Sequence, residues 1–410
     1  MTLSDTMLAM GRDAKAAAAT LRSCPAEQRS AAIAGMARHL RARQAEVLAA
    51  NRADVGAAKG ASDRLMLDPA RVDAIAGALG TIAALPDPVG QEIARWTRPN
   101  GLDIARVRTP IGVIGMIYES RPNVTADAAA ICVRSGNAVI LRPGSDALRT
   151  CLVIHAACRD GLVDAGLPPG AVQIVPTPDR DAVGFLLGGL DGAIDLIIPR
   201  GGGALVERVA AEARVATLGH LDGLCHTYVH ADADLAMALD VLANAKMRRV
   251  SICGATETLL VDRAIAHALL PRLADALPGC VLRGDAEARG FARMEEADEA
   301  DWATEYLDAV LSVRVVAGLD EAVSHIARYG TGHTESILTE DAVAAETFLG
   351  RVDSAIVMWN TSTQFADGGE FGFGAEIGIA TGKLHARGPV GPEQLTTFKY
   401  VVRGTGQTRA

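Results

Sequence analysis

Cys253 stands in RRVSICGATETLLVD (248–262), four and five residues after Arg249 and Arg248 and directly before an apolar, β-prone run. Thiolate is the nucleophilic form of cysteine; neighbouring guanidinium charge favours it, and small flanking residues leave it accessible. A free cysteine also packs as a small hydrophobe, which is the plainer role for the same residue. Three other stretches set polar groups at strand-to-helix turns. RPGSDA (142–147) puts Gly144 and Ser145 where backbone N–H groups and a helix dipole face any phosphate, although a plain βα turn has the same composition. IIPRGGGALVERV (197–209) repeats the layout with Gly201 and Gly202 in a run of three glycines, which permits close backbone approach to a ligand. It has neither GxGxxG spacing nor the GK[ST] ending of a P-loop. In ESRPNVT (119–125), Asn123 either donates its amide to an oxyanion or caps a helix.

His220, His226 and His230 invite a metal reading, but they lie partly on an expected strand, where 226 and 230 are too far apart for tight ligation. No metal site is expected. Arg121, Arg248 and Arg249 are positive groups near these stretches and candidates for holding an anionic substrate, or else solvated surface side chains.

The elements that position these residues follow from periodicity. Residues 1 to about 95 are alanine-rich with apolar positions at helical spacing, and three or four helices are predicted there. LDIARVRTPIGVIGMIYE (102–119) reads as a hairpin or a pair of strands divided at Thr109-Pro110, with IGVIGMI buried. Repeated βα units then run to 213, a strand at 225–230 and a helix at 232–249 follow, and alternation resumes after Cys253. That pattern predicts parallel, doubly wound sheets. A last β-prone segment near 395–403 has no partner nearby in sequence.

The chain has 410 residues, 49% hydrophobic and 22% charged, enough for two or three domains of a soluble globular protein. A net charge of −9 with 4% aromatics argues against nucleic acid. No apolar stretch reaches the length of a membrane span, and the N-terminus lacks the apolar core of a signal peptide, so the cytoplasm is the expected compartment. Seven cysteines without a CxxC pair fit reduced thiols.

Five blocks, RTPIGVIGMIYESRPNVTADAAAICVRSGNAVILRPGSDA, NAKMRRVSICGATETLLVD, TEYLDAVLSVRVV, RYGTGHTESILTED and FGFGAEIGIATGKLHARGPVGPEQLTTFKY, occur in this order across nearly the whole chain. In them the sequence resembles the gamma-glutamyl phosphate reductases, a branch of the aldehyde dehydrogenase superfamily. The resemblance implies two doubly wound α/β domains with a small β oligomerisation element: a cofactor-binding domain over 1–252 with a hairpin excursion near 97–112, a catalytic domain over 253–370, and a return segment over 371–410. It implies NADPH-dependent reduction of L-glutamyl 5-phosphate to L-glutamate 5-semialdehyde in proline biosynthesis, through a thioester on Cys253 with Asn123 as oxyanion donor. Glu305 then matches the acid that holds the nicotinamide ribose. Arg142 falls beside the adenosine ribose, Gly144 and Ser145 in that turn, and Gly201 and Gly202 beneath the pyrophosphate. A homo-oligomer is implied, as is the question of direct hand-over from a glutamate 5-kinase. The water-activating glutamate of hydrolytic relatives has no counterpart in VATLGHLDG (215–223). Two other activities stay open: a coenzyme A-acylating aldehyde dehydrogenase of the same fold, and a nucleotide-binding scaffold with an inert cysteine.

Overall fold

The computed structural model describes residues 2–58, 64–219 and 222–409. The chain divides into two compact units, one of residues 1–219, 372–378 and 390–410, the other of 220–371 and 379–389. Four helices open the first unit: α1 Leu3–Ser23, α2 Ala26–Ala42, α3 Gln44–Ala57 and α4 Pro69–Ala84. Helix α1 starts on a capping box: the Asp5 N–H donates to Thr2 Oγ1 at 3.1 Å and the Thr2 N–H to Asp5 Oδ2 at 2.9 Å. Both donors would otherwise be orphaned by the first turn. Helix α4 has Pro69 inside its first turn, where a missing N–H costs nothing.

Next come β1 Glu92–Thr97, β2 Asp103–Pro110, β3 Val113–Tyr118, α5 Asn123–Arg134, β4 Ala138–Pro143, α6 Leu148–Asp164, β5 Val172–Ile174, α7 Asp181–Leu187, β6 Leu196–Arg200, α8 Gly203–Glu212 and β7 Ala216–Thr217. Five of these strands form a parallel sheet in the order β5-β4-β3-β6-β7. Every residue of β3 and β4 is buried, as continuous apolar runs in a sheet covered on both faces should be. The hairpin is β1–β2, at 92–110, where the sequence placed it near 97–112. Strand β3 does not join it, because IGVIGMI is apolar on both faces while β2 mixes charged and apolar residues.

The second unit holds β8 Cys225–Val229, α9 Leu235–Met247, β9 Thr256–Asp262, α10 Arg263–Ala276, β10 Val281–Gly284, β11 Glu295–Glu296, β12 Val310–Val316, α11 Leu319–Tyr329, β13 Thr334–Leu338, α12 Ala342–Arg351, β14 Ile356–Trp359, and the short pair β15 Ile379–Ala380 and β16 Gly388–Pro389. Its main sheet is parallel, in the order β11-β10-β12-β9-β8-β13-β14. A boundary at 252/253 is therefore corrected to 219/220. Strand β8 is paired on both sides, to β9 and to β13, and carries α9 with it into this unit. The return segment 371–410 is likewise split between the units.

Strand β17, Thr396–Arg403, pairs antiparallel with β2 along its whole length, so the segment without a neighbour in sequence finds one in the first unit. The resulting sheet, β1-β2-β17, exposes Trp96, Phe398, Tyr400 and Val402. Among the described residues no helix is long and apolar enough to cross a membrane.

Candidate active site

Cys253 lies on a tight turn between α9 and β9, closed by the Ala255 N–H donating to the Ile252 carbonyl at 3.0 Å. The turn is held from several sides. Thr363 Oγ1 donates to the Gly254 carbonyl at 2.7 Å and lies 3.0 Å from Thr256 Oγ1, which in turn meets Thr227 Oγ1 at 2.8 Å. Gln364 donates to the Ala245 carbonyl at 2.9 Å and accepts from Arg248 Nε at 3.1 Å, fixing the end of α9. The Cys225 thiol donates to the Cys253 carbonyl at 3.0 Å, with His333 Nδ1 3.5 Å from the same sulfur. Cys253 itself is partly exposed, whereas Cys225 is buried.

Gly223 packs directly on this turn. A β-carbon there would stand 2.4 Å from Cys253 Cβ and 2.4 Å from its carbonyl oxygen. Gly223→Ala is therefore expected to displace the cysteine and to lower kcat by roughly 100-fold, the penalty of an ångström of misplacement. Stopped-turnover assays with an alkylation rate for Cys253 check this, and parental values for both would show that the contact is tolerated.

Glu305 lies in the loop 304–309 of the same unit, which is anchored at two places. On one side Tyr306 Oη donates to Asp301 Oδ1 at 2.7 Å and meets Ser312 Oγ at 2.7 Å. On the other, the N–H of Leu307, a residue with φ of 53°, donates to Glu257 Oε1 at 3.3 Å. Glu257 Oε2 is 2.5 Å from Lys246 Nζ, and both side chains are fully buried. Burial pushes the Glu257 carboxyl up to about 7, opposed by Lys246 and reinforced by the charge of Glu305. Burial, then Glu335, Cys253, Glu257 and Glu305, push the Cys225 thiol well above its usual range.

In the first unit the chain runs β3, β4, β5 to one side and returns to place β6 on the other side of β3. That is the switch point at which open α/β sheets bind ligands, beyond the carboxyl ends of the strands. Glu119 follows β3, and its Oε2 accepts from the Gly202 N–H at 3.1 Å, at the start of α8. A β-carbon on Gly201 would stand 2.6 Å from the same oxygen, so a larger residue there would have to push the Glu119 side chain aside. Asn123 is the first residue of α5; Pro122 holds the capping position, so the capping alternative does not apply. Its Nδ2 donates to Asp127 Oδ2 at 2.9 Å.

Arg142 is 8% exposed and donates to the carbonyls of Pro143, Pro178 and Asp179 at 2.8, 3.2 and 3.4 Å. Burial, then Arg180 and Arg208, hold its pKa below the usual range. Its guanidinium thus shapes the 178–180 loop instead of reaching outward. Gly144 is buried and Ser145 exposed, and the neighbouring Asp146 accepts from Ser120 Oγ.

Arg121 is half-buried ahead of α5, while Arg248 and Arg249 are exposed at the end of α9. His226 is paired with Glu335 at 2.8 Å, both wholly buried, and His230 Nδ1 meets Thr339 Oγ1 at 3.0 Å; His220 lies outside the described residues. Sequence reasoning missed Glu119, Asp127, Gly223, Cys225, Lys246 and Glu257. The available signal was a charge inside an apolar run: Asp127 in ADAAAICV, Glu257 in TETLLVD, and Lys246 one turn after Leu242 on the packed face of α9.

Comparison with known proteins adds an independent line. Residues 4–289 match the model of the aldehyde dehydrogenase family. The gamma-glutamyl phosphate reductase of Caulobacter sp. (strain K31) is 63% identical over 418 residues, covering 100% of both chains. That of Caulobacter vibrioides is 64% identical over 412 residues, covering 98% of this chain and 100% of its own. The crystal structure of gamma-glutamyl phosphate reductase from Thermotoga maritima superposes with a TM-score of 0.95 at 43% identity, covering 98% of this chain and 100% of that one. The chain is thus an oxidoreductase that belongs to the aldehyde dehydrogenase family and, within it, to the gamma-glutamyl phosphate reductases.

Proposed function

We propose that the chain reduces L-glutamyl 5-phosphate to L-glutamate 5-semialdehyde with NADPH, releasing phosphate, by way of a thioester on Cys253. The observation that carries the mechanism is the state of Cys253. Four of the seven cysteines are buried, and burial pushes Cys151 and Cys158 up to about 12, whereas Cys253 is partly exposed on a turn braced by Thr363, Gln364 and Cys225. Its sulfur attacks the acyl carbon, the carbon–oxygen bond to phosphate breaks, and phosphate leaves with the electron pair. The Asn123 amide donates to the oxygen that becomes negative at each addition. When bound, the nicotinamide supplies the hydride that converts the thioester to the aldehyde level. Cys253 is then expelled as thiolate.

The first unit fits a dinucleotide. The Gly202 N–H already holds a carboxylate oxygen, which stands where an anionic phosphate oxygen would, and Gly201 clears the approach. Ser145 stands where a carboxylate would repel a 2′-phosphate, which favours NADPH, while the charges of Arg180 and Arg208 around Arg142 are balanced in part by Glu119 and Asp179. Arg142 contributes by shaping its loop. In the second unit, Glu305 is held by Tyr306 and Leu307 to receive the nicotinamide ribose. Arg121, Arg248 and Arg249 are candidates for the substrate's anionic groups. The exposed aromatic face of the β1-β2-β17 sheet suits a homo-oligomer interface in a cytoplasmic enzyme.

The reaction run backwards tests this. With L-glutamate 5-semialdehyde and NADP⁺, the expected result is NADPH formation, followed by absorbance, that requires inorganic phosphate. Dependence on coenzyme A instead would reassign the chain to the acylating dehydrogenases, and no formation with either acceptor would remove the activity altogether.

A further inference from the structure

Asp127 lies one turn along α5 from Asn123, among Val124, Thr125, Ala126, Ala128, Ala129 and Ala130, all buried. It is half-buried, and burial pushes its carboxyl up to about 6, against the Asn123 hydrogen bond and the charge of Arg200, both of which lower it. Arg200 acts on it through its charge. The fold therefore holds a carboxylate where ionisation is costly and offsets that cost only in part, through the Asn123 hydrogen bond and the charge of Arg200. Such groups concentrate at functional sites, where a ligand supplies the missing charge.

The neighbouring amide accounts for only part of this carboxylate. Asn123 Nδ2 has two hydrogens, of which one goes to Asp127 Oδ2. The second stays available for an acyl oxygen, and Asp127 Oδ1 stays available for another donor. The two side chains meet at 2.9 Å, and a hydrogen bond from each to a ligand adds about 3 Å on its own side. An extended glutamyl chain puts its α-nitrogen about 5 Å from its acyl carbon, across four bonds of ordinary length.

We propose that Asp127 binds the protonated α-amine of the amino-acid substrate while Asn123, beside it, donates to the acyl oxygen. The hydrogen-bonded pair then engages the substrate at both its acyl oxygen and its ammonium and selects amino-acid acyl groups over plain dicarboxylic ones. This rests on the function proposed above. Asp127 is a specificity-determining residue here, and its hydrogen bond to Asn123 also keeps the amide's N–H side toward the substrate.

The test compares two aldehydes in the reverse, phosphate-dependent assay: L-glutamate 5-semialdehyde and its deamino analogue 5-oxopentanoate. Asp127→Asn keeps the size and the capacity to accept from Asn123 but removes the charge. It is expected to lower kcat/KM for the amino aldehyde by roughly 100-fold, chiefly through KM, which is the scale of losing one partner of a desolvated charge pair. The loss on 5-oxopentanoate should be far smaller, so that the discrimination between the two aldehydes largely disappears. Equal losses on both would show that Asp127 only orients Asn123 and would overturn the assignment. A parent protein that turns over neither aldehyde with phosphate would overturn the function itself and this assignment with it. Folding is controlled by melting temperature at pH 8, where Asp127→Asn should melt no lower than the parent, since it removes a charge the site disfavours.

Discussion

Cys253→Ala is expected to lower turnover in the phosphate-dependent assay by on the order of 10⁴-fold or more while NADP(H) still binds with close to parental affinity. In the proposed route the sulfur forms and releases the covalent bond, and alanine leaves nothing to replace it. The substitution should spare the fold, because the side chain only borders the small cluster of Ile356, Met358, Ala366 and Ile379 and is itself partly exposed. In the parent, iodoacetamide at neutral pH should modify Cys253 before Cys132, Cys151, Cys158 and Cys225, whose burial keeps them protonated. Cofactor binding is read by the change in NADPH fluorescence and turnover by absorbance. Near-parental activity in Cys253→Ala would refute the thioester route.

The second large effect is expected from the buried pair beneath the Glu305 loop. Lys246 and Glu257 are fully buried, and replacing one partner leaves the other charge uncompensated, at a cost of about 3–5 kcal/mol. Lys246→Met should therefore lower the melting temperature on the order of 10 °C. Its cofactor affinity should fall too, because Glu257 also receives the Leu307 N–H that shapes the loop beside Glu305. Changing both residues, Lys246→Met with Glu257→Leu, should recover most of the stability, since an apolar pair of similar volume often matches a buried ion pair.

The pH dependence has a definite sign. In the parent, burial raises Glu257 from 4.5 to about 7, so the stability tied to its protonated form is complete below the unfolded value and lost as pH rises through about 7. Without the Lys246 ammonium the folded value rises further, and the loss continues to higher pH. The stability deficit of Lys246→Met should thus widen from pH 7 to pH 9. A variant that melts with the parent across this range would show that the pair carries no net charge energy.

Much of the fold was legible from spacing alone. The N-terminal helices, the repeated βα units on both sides of Cys253, and the buried character of IGVIGMI all appear where apolar periodicity placed them, within a few residues at the ends. Of the two readings of 102–119, a hairpin or a pair of strands, the pair is what forms, and the hairpin lies a few residues earlier, because β-propensity marks segments that pair without saying which pairs with which. The domain boundary was misplaced for a related reason. CHTYVH looks the same whether it ends one sheet or begins another, and only its pairing with β9 and β13 assigns it. Of the candidate functional residues, Cys253, Asn123 and the glycine turn at 201–202 were visible as residue types at element ends. Arg142 was visible too, but its guanidinium turns back onto three carbonyls, which no one-dimensional pattern encodes.

Local chemistry along the chain was sufficient to establish the order of helices and strands and the α/β class, and to nominate Cys253 as the nucleophile, because periodicity and turn composition report which face of each segment is buried. Folding alone brought Gly223 and Cys225 against the Cys253 turn, set Lys246 against Glu257, and placed Asp127 among buried apolar residues of α5 with Asn123 beside it. The reason is that packing clearance, desolvation and charge pairing depend on which atoms come within a few ångströms, and those partners lie anywhere from four to more than a hundred residues apart in sequence.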